Sequence, residues 1–212
     1  MLWWPALCFG AGGQFAVDDA AVLDKGRCQV EIWGDSEHRA PTRVTHLGPS
    51  CRAGPVELGL NIDRLPNADA DSTTLAGVQA KWATALTDRL SVGAVAAAAR
   101  DATHGRDTVT TVYAPVTFKA SNAVALNVNL GWDFFQHLST QQHSGVSIDW
   151  APVKPLTFTA ERFRQNGNDA ARVGVHWDAC SWFAVETSRN WSLETGGPRG
   201  WTLGIVVGFP AP

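Results

Sequence analysis

The stretch Ala123-Val124-Ala125-Leu126-Asn127-Val128-Asn129-Leu130-Gly131-Trp132-Asp133-Phe134 decides the fold. Val124, Leu126, Val128, Leu130, Trp132 and Phe134 fall on one side of an extended chain. Ala125, Asn127, Asn129, Gly131 and Asp133 fall on the other. Successive strand side chains point to opposite faces, so this is a strand with one apolar and one polar face.

The same alternation recurs on both sides of that stretch. Val56, Leu58, Leu60 and Ile62 alternate with Glu57, Gly59, Asn61 and Asp63. Ala76 to Trp82, Val146 to Trp150, Leu156 to Glu161, Arg172 to Asp178 and Trp201 to Phe209 follow the rule. Leu90 to Ala98 and Trp182 to Ser188 are strand-like. Val112 to Phe118 is too, although Pro115 removes a ladder donor. The opening pair, Gly26 to Gly34 and Thr42 to Arg52, is the weakest match. Together these make about twelve antiparallel strands, and an even count suits a closed up-and-down barrel.

The connections alternate in length. Short turns are expected at 53–55, 87–88, 121–122, 152–155 and 179–180. Longer polar loops are expected at 36–42, 65–72, 102–107, 137–142, 166–169 and 192–199. Short turns at one rim and long loops at the other are the habit of outer-membrane barrels, with both chain ends on the periplasmic side.

Composition narrows the choice. Charged residues make up 17% of the 212, below the ~25% of soluble domains. The net charge of -3 gives no basic face, so nucleic acid is not an expected partner. Ten Trp beside one Tyr suits sites with one wet edge, such as membrane interfaces or carbohydrate clefts. No stretch reaches the ~18 apolar residues of a spanning helix; Ser91 to Ala99 is the longest candidate.

Alternation alone does not say which face is inside, since a soluble barrel turns its apolar face inward. The polar face decides it. It is rich in Gly, Asn, Thr and Ser and short of the Lys and Glu of a soluble surface. Small mixed polar groups suit a confined lumen, and closure satisfies every backbone group as hydrocarbon demands. The expected fold is therefore all-β: a transmembrane barrel with lipid outside and paired charges within. The rival is a secreted soluble β-protein.

Met1 to Ala16 is apolar, then small, and ends before Val17-Asp18-Asp19. It reads as the back half of a secretory signal, without a basic start, with cleavage near Ala16. Residues 17–212 would then form the barrel. Cys8 follows Leu7 rather than the small residue a lipoprotein signal wants, so no lipid anchor is expected.

A family resemblance enters at the start of the barrel. Phe15-Ala16-Val17-Asp18-Asp19-Ala20-Ala21-Val22-Leu23-Asp24-Lys25-Gly26-Arg27-Cys28-Gln29-Val30-Glu31 resembles the opening of outer-membrane proteins of the phenol-degradation meta-pathway type. Asp18, Asp19, Ala20, Gly26, Gln29 and Glu31 carry the match. The chain differs in Cys28 and in having Pro210-Ala211-Pro212 after Phe209. The resemblance implies an outer-membrane barrel passing small hydrophobic compounds, and it supplies no catalytic residues.

The charges on the polar faces are the functional candidates: Glu57, Asp63, Lys81, Lys119, Asp133, Asp149, Glu161, Arg172 and Glu186. Lining a lumen, opposed acids and bases build a weakly selective constriction. The bland alternative is that they neutralise one another and close the barrel. Cys28 and Cys51 lie roughly opposite if a hairpin turns near Arg39-Ala40. They are either a disulfide or two separate thiols, and Cys180 is left over.

His38, His104, His137 and His143 fall in expected outer loops, where exposed histidines are usually unremarkable. No Cys/His spacing for zinc is present, and no metal or other cofactor is expected. His143-Ser144 with Asp149 holds the residue types of a hydrolase, but neighbouring strand residues face opposite ways. The reading is a monomeric, non-enzymatic barrel in the outer membrane of a Gram-negative bacterium. Its partners would be lipid and small hydrophobic or polar solutes, passed passively. The alternatives are a closed structural or surface-binding barrel and a lipid hydrolase.

Overall fold

The structure is a computed structural model and describes residues 14–37, 44–65, 72–105, 108–165 and 167–211. Twelve strands follow one another: β1 (Arg27–Glu37), β2 (Thr45–Ala53), β3 (Val56–Leu65), β4 (Thr73–Ala85), β5 (Leu90–Asp101), β6 (Thr108–Lys119), β7 (Val124–Phe135), β8 (Gln141–Val153), β9 (Leu156–Gln165), β10 (Asn168–Cys180), β11 (Phe183–Ser192) and β12 (Arg199–Pro210). Each pairs antiparallel with the next, and β1 pairs with β12 from Arg27↔Pro210 to Glu37↔Gly200, closing the barrel. No strand edge is left, which meets the backbone requirement of a hydrocarbon environment.

The faces are sorted as the alternation requires. On β7, Leu130 is 59% exposed while Asn127 and Asn129 are 2% and 1% exposed. Val146 and Ile148 on β8 are exposed like Leu130, and Leu203 on β12 is too. Lys81 is wholly buried. In water this arrangement would be inside out. Leaving so many large apolar side chains exposed forfeits about 1.5–3 kcal/mol each, and an apolar surround recovers it.

Aromatic residues bound that apolar belt. Trp82, Phe118, Trp150, Phe158, Trp177, Trp182 and Phe209 are exposed near the short-turn rim. Trp132, Phe134 and Trp201 are exposed near the opposite one. Two aromatic girdles around an apolar band are what the two interfaces of a membrane select.

Pro115 does not end its strand. It faces inward, fully buried, and pairs with Asn129 of β7. On its other side the β5–β6 register passes from Val92↔Val116 to Val95↔Tyr113, so the missing N–H falls where the ladder already opens. Gly93 sits there, and a β-carbon on it would come within 3.1 Å of the proline ring.

Three expectations need correction. The short turn read at 179–180 falls at Ser181-Trp182, because β10 runs on to Cys180. The loop read at 166–169 is a tight connection, because β9 runs to Gln165 and β10 begins at Asn168. His143 is not in a loop: β8 starts at Gln141, and His143 lies inside it, facing inward and buried. The run Gln141-Gln142-His143-Ser144 has no apolar outward residue to mark it as a strand, although Gln142 pairs with Trp132 and Ser144 with Leu130 of β7. Much of the loops read at 36–42 and 65–72, His38 included, lies outside the described residues.

Cys28 and Cys51 are directly opposed on β1 and β2 and are joined by a disulfide. The bond sits near the rim of the short turns, where the chain enters the barrel. Cys180 is a free, exposed thiol.

Candidate functional site

Residues 14–24 do not join any strand; they run inside the barrel. The segment enters at the short-turn rim, just before β1, and climbs into the lumen. Val17, Ala20, Val22 and Leu23 are buried there. A buried irregular segment must satisfy its backbone from its surroundings, and here the barrel's inward side chains do so.

Its deep end is held by β9. The Glu161 carboxylate accepts the backbone N–H of Ala16, at 3.0 and 3.1 Å, and that of Val17, at 2.9 Å. Gln165 donates to the Ala16 carbonyl, 3.0 Å away. Arg172 of β10 flanks Glu161 at 3.5 Å, which balances part of the buried charge. Ser188 on β11 donates to the Gln14 side chain.

The middle is held by β4, β6 and β7. The Tyr113 hydroxyl donates to Asp18, and Lys81 reaches Asp19 at 3.2 Å. The Asn129 amide, turned to its bonding orientation, brackets the Asp18 backbone: its nitrogen lies 2.9 Å from the carbonyl and its oxygen 2.8 Å from the N–H. Thr117 accepts the N–H of Ala20 at 2.7 Å. Nearest the rim, Glu57 of β3 accepts from Leu23 at 2.9 Å, and Arg52 donates to the Leu23 carbonyl at 2.7 Å.

Glycines shape the space. Gly145 faces inward on β8, and a β-carbon there would lie 2.5 Å from the Val17 side chain. At inward Gly174 of β10 it would lie 2.8 Å from the Phe15 ring. At Gly131 it would lie 2.4 Å from the Tyr113 β-carbon, so the bare position lets the tyrosine lie across the ladder toward Asp18.

Around the segment the wall is polar and mostly acidic. Asn127 donates to Ser147 and Asp149, and Thr117 and Thr159 donate to Asn127 and Asp149 in turn. His143 lies 3.1 Å from Asp133 and stacks on Tyr113 with ring centroids 4.6 Å apart. His176 bridges Glu186 at 2.7 Å and Asp178 at 3.0 Å. His46 meets Asp63 at 2.6 Å and stacks on Trp33. Gln29 donates to Glu31, and both are buried.

Of the nine candidate charges, Glu57, Lys81, Asp133, Glu161 and Glu186 are buried on inward positions. Asp63, Asp149 and Arg172 share the inward side and are partly covered. Lys119 has the inward parity but stands exposed at the rim end of β6. The candidate charges did not include Glu31, Tyr113, Asn127, Asn129 and His176, although Asn127 and Asn129 already stood on the polar face of the deciding stretch. All have the inward parity of their strands, so the period could have found them; the emphasis on charge on the strands already counted hid them.

The residue types of a hydrolase do not assemble. His143 points inward to Asp133, Ser144 lies on the other parity, and Asp149 is held by Asn127 and Thr159. Among the described residues no group of three or more His, Cys, Asp or Glu is placed to hold a metal.

Comparison with known proteins agrees with the architecture. The barrel is similar to the KdgM porin in complex with disordered oligogalacturonate, with a TM-score of 0.71 at 9% identity, over 85% of this chain and 99% of that one. It is similar to the NanC porin, with a TM-score of 0.65 at 9% identity, over 84% and 98%. At this identity the likeness is one of fold. No curated protein matches the sequence. The model of the family described as uncharacterised conserved protein UCP029691 matches residues 1–194, and the chain belongs to that family.

Proposed function

We propose that this UCP029691 family member is a passive outer-membrane channel for small solutes in a Gram-negative bacterium. The observation that carries the reading is the inversion of the barrel: an apolar belt between aromatic girdles outside, and buried, hydrogen-bonded charge inside. A structural barrel of this size has no need of a charged centre, since an apolar core costs less to build.

The wall charge points to the kind of solute. Inward acids such as Glu31, Glu57, Asp63, Asp133, Asp149, Glu161 and Glu186 outnumber the inward bases Arg27, Arg52, Lys81 and Arg172. A lumen of one sign concentrates the opposite ion, so the channel favours cations and cationic or neutral solutes. The KdgM comparison structure is a complex with oligogalacturonate, which is a polyanion. The acid excess here suits the opposite charge. Of the residues that carry the resemblance to the phenol-degradation type, Asp18, Asp19, Ala20, Gly26, Gln29 and Glu31, all but the rim residue Gly26 lie in or face the lumen.

Planar-bilayer recording of the folded protein in a salt gradient tests this. The expected result is current with a reversal potential on the cation side, which moves toward zero in Glu57→Gln. No current, either from the full chain or from a variant lacking residues 17–23, overturns the channel. One observation favours a second reading, a closed structural barrel: the lumen holds the chain's own segment.

Secretory processing would remodel the deep end of the segment, since cleavage after Ala16 removes the contacts of Gln14, Phe15 and Ala16. Cleavage after Ala16 would place the new α-ammonium of Val17 on Glu161, in place of the amide N–H now 2.9 Å from it. An ammonium against a carboxylate strengthens that hydrogen bond. Intact-mass measurement of protein from outer membranes should show a chain beginning at Val17. A chain that retains Met1 removes the leader.

A further inference from the structure

We propose that residues 17–24 are a displaceable plug, a resident occupant of the lumen whose departure opens the pore. The inference rests on the channel reading and names what regulates it.

The seat is built for an extended peptide. Its deep-end amide, that of Val17, meets Glu161, its rim-end amide meets Glu57, and its two acids meet Tyr113 and Lys81. These receptors come from β3, β4, β6 and β9, of which only β3 and β4 pair with one another, so the segment ties together distant parts of the wall. Inward Gly145 supplies the clearance for Val17 that any larger residue would remove.

The attachment is separable from the barrel. Closure by β1 and β12 begins at Arg27↔Pro210, after the segment has ended, and the segment takes part in no strand pairing. Leaving therefore breaks side-chain contacts and no ladder. Charge weakens the seat as well. Asp18 and Asp19 enter a wall already rich in carboxylates, where like charges oppose them and Lys81 is the cation at hand. Once the segment leaves, Glu161 and Glu57 are freed to face the aqueous path.

The test compares single-channel currents of folded barrels, with folding checked by heat-modifiable migration on a denaturing gel. Four proteins are needed: the full chain, a variant lacking residues 17–23, Gly145→Val, and Ala20→Cys with Thr117→Cys in a Cys180→Ser background. Gly145→Val meets the Val17 side chain first, since the nearest barrel atoms are farther, at 3.2 Å. The paired cysteines replace an existing contact, the 2.7 Å bond from Ala20 to Thr117. The full chain treated with reductant controls for the Cys28–Cys51 bond.

The full chain should open rarely. The deletion and Gly145→Val should raise the open fraction at least tenfold. The oxidised cysteine pair should abolish openings, and reductant should restore them. If all four conduct alike, the plug is refuted while the channel stands. If none conducts, including the deletion, the channel is refuted and the plug as a gate falls with it. Should the deletion fail to fold, Gly145→Val and the reversible cross-link still decide.

Discussion

The outer and inner faces of β7 and β8 are made by the same ladder and obey opposite rules. Outside, Leu126, Leu130, Val146 and Ile148 stand exposed, and almost any apolar side chain would serve. Inside, Asn127, Asn129, Ser147 and Asp133 are buried, and each has named partners. The difference teaches that lipid asks only for apolarity, whereas the lumen asks for matched donors and acceptors. The outer face should therefore tolerate shape changes and reject charge. The inner face should do the reverse.

The largest effect should come from charging the outer face. Leu130→Arg, near the middle of the belt, is expected to cost about 3 kcal/mol, the depth-dependent penalty for a lipid-facing Arg. Reversible denaturant unfolding in vesicles would measure it. A cost near zero would mean that this face does not meet hydrocarbon.

A smaller loss should follow from Lys81→Met, which leaves Asp19 and Glu57 without their cation, at about 2 kcal/mol. Leu130→Met, the same replacement residue on the outer face, should cost at most about 0.5 kcal/mol, because lipid adapts to shape. The same unfolding assay ranks the pair. Equal costs would erase the distinction between the faces.

Much of this was legible in advance. The two-residue period names the strands and both of their faces, and it separates Leu130 from Asn129 without any knowledge of partners. The length of β8 was not legible. Its first residues, Gln141 to Ser144, carry no apolar period even though they pair with Asp133 to Leu130 of β7, so His143 reads locally as a loop residue. The luminal segment was hidden for another reason. Ala16 to Leu23 has no strand period, and its contacts lie far away in the chain: Glu161 is 144 residues from Val17 and Thr117 is 97 from Ala20. Gly145 likewise looked like an ordinary small residue, because its clearance is for a side chain from the other end of the molecule.

The sequence by itself determined a chain of two-sided strands, since alternation is local and each side chain's face follows from its neighbours along the backbone. Only the tertiary structure decided what the lumen contains. Closure carries β3, β4, β6 and β9 around one axis, and from that arrangement come the paired carboxylates, the single lysine and the glycine gap that receive residues 14–24. Contacts across a closed barrel depend on register all the way round, and no local stretch of sequence carries that information.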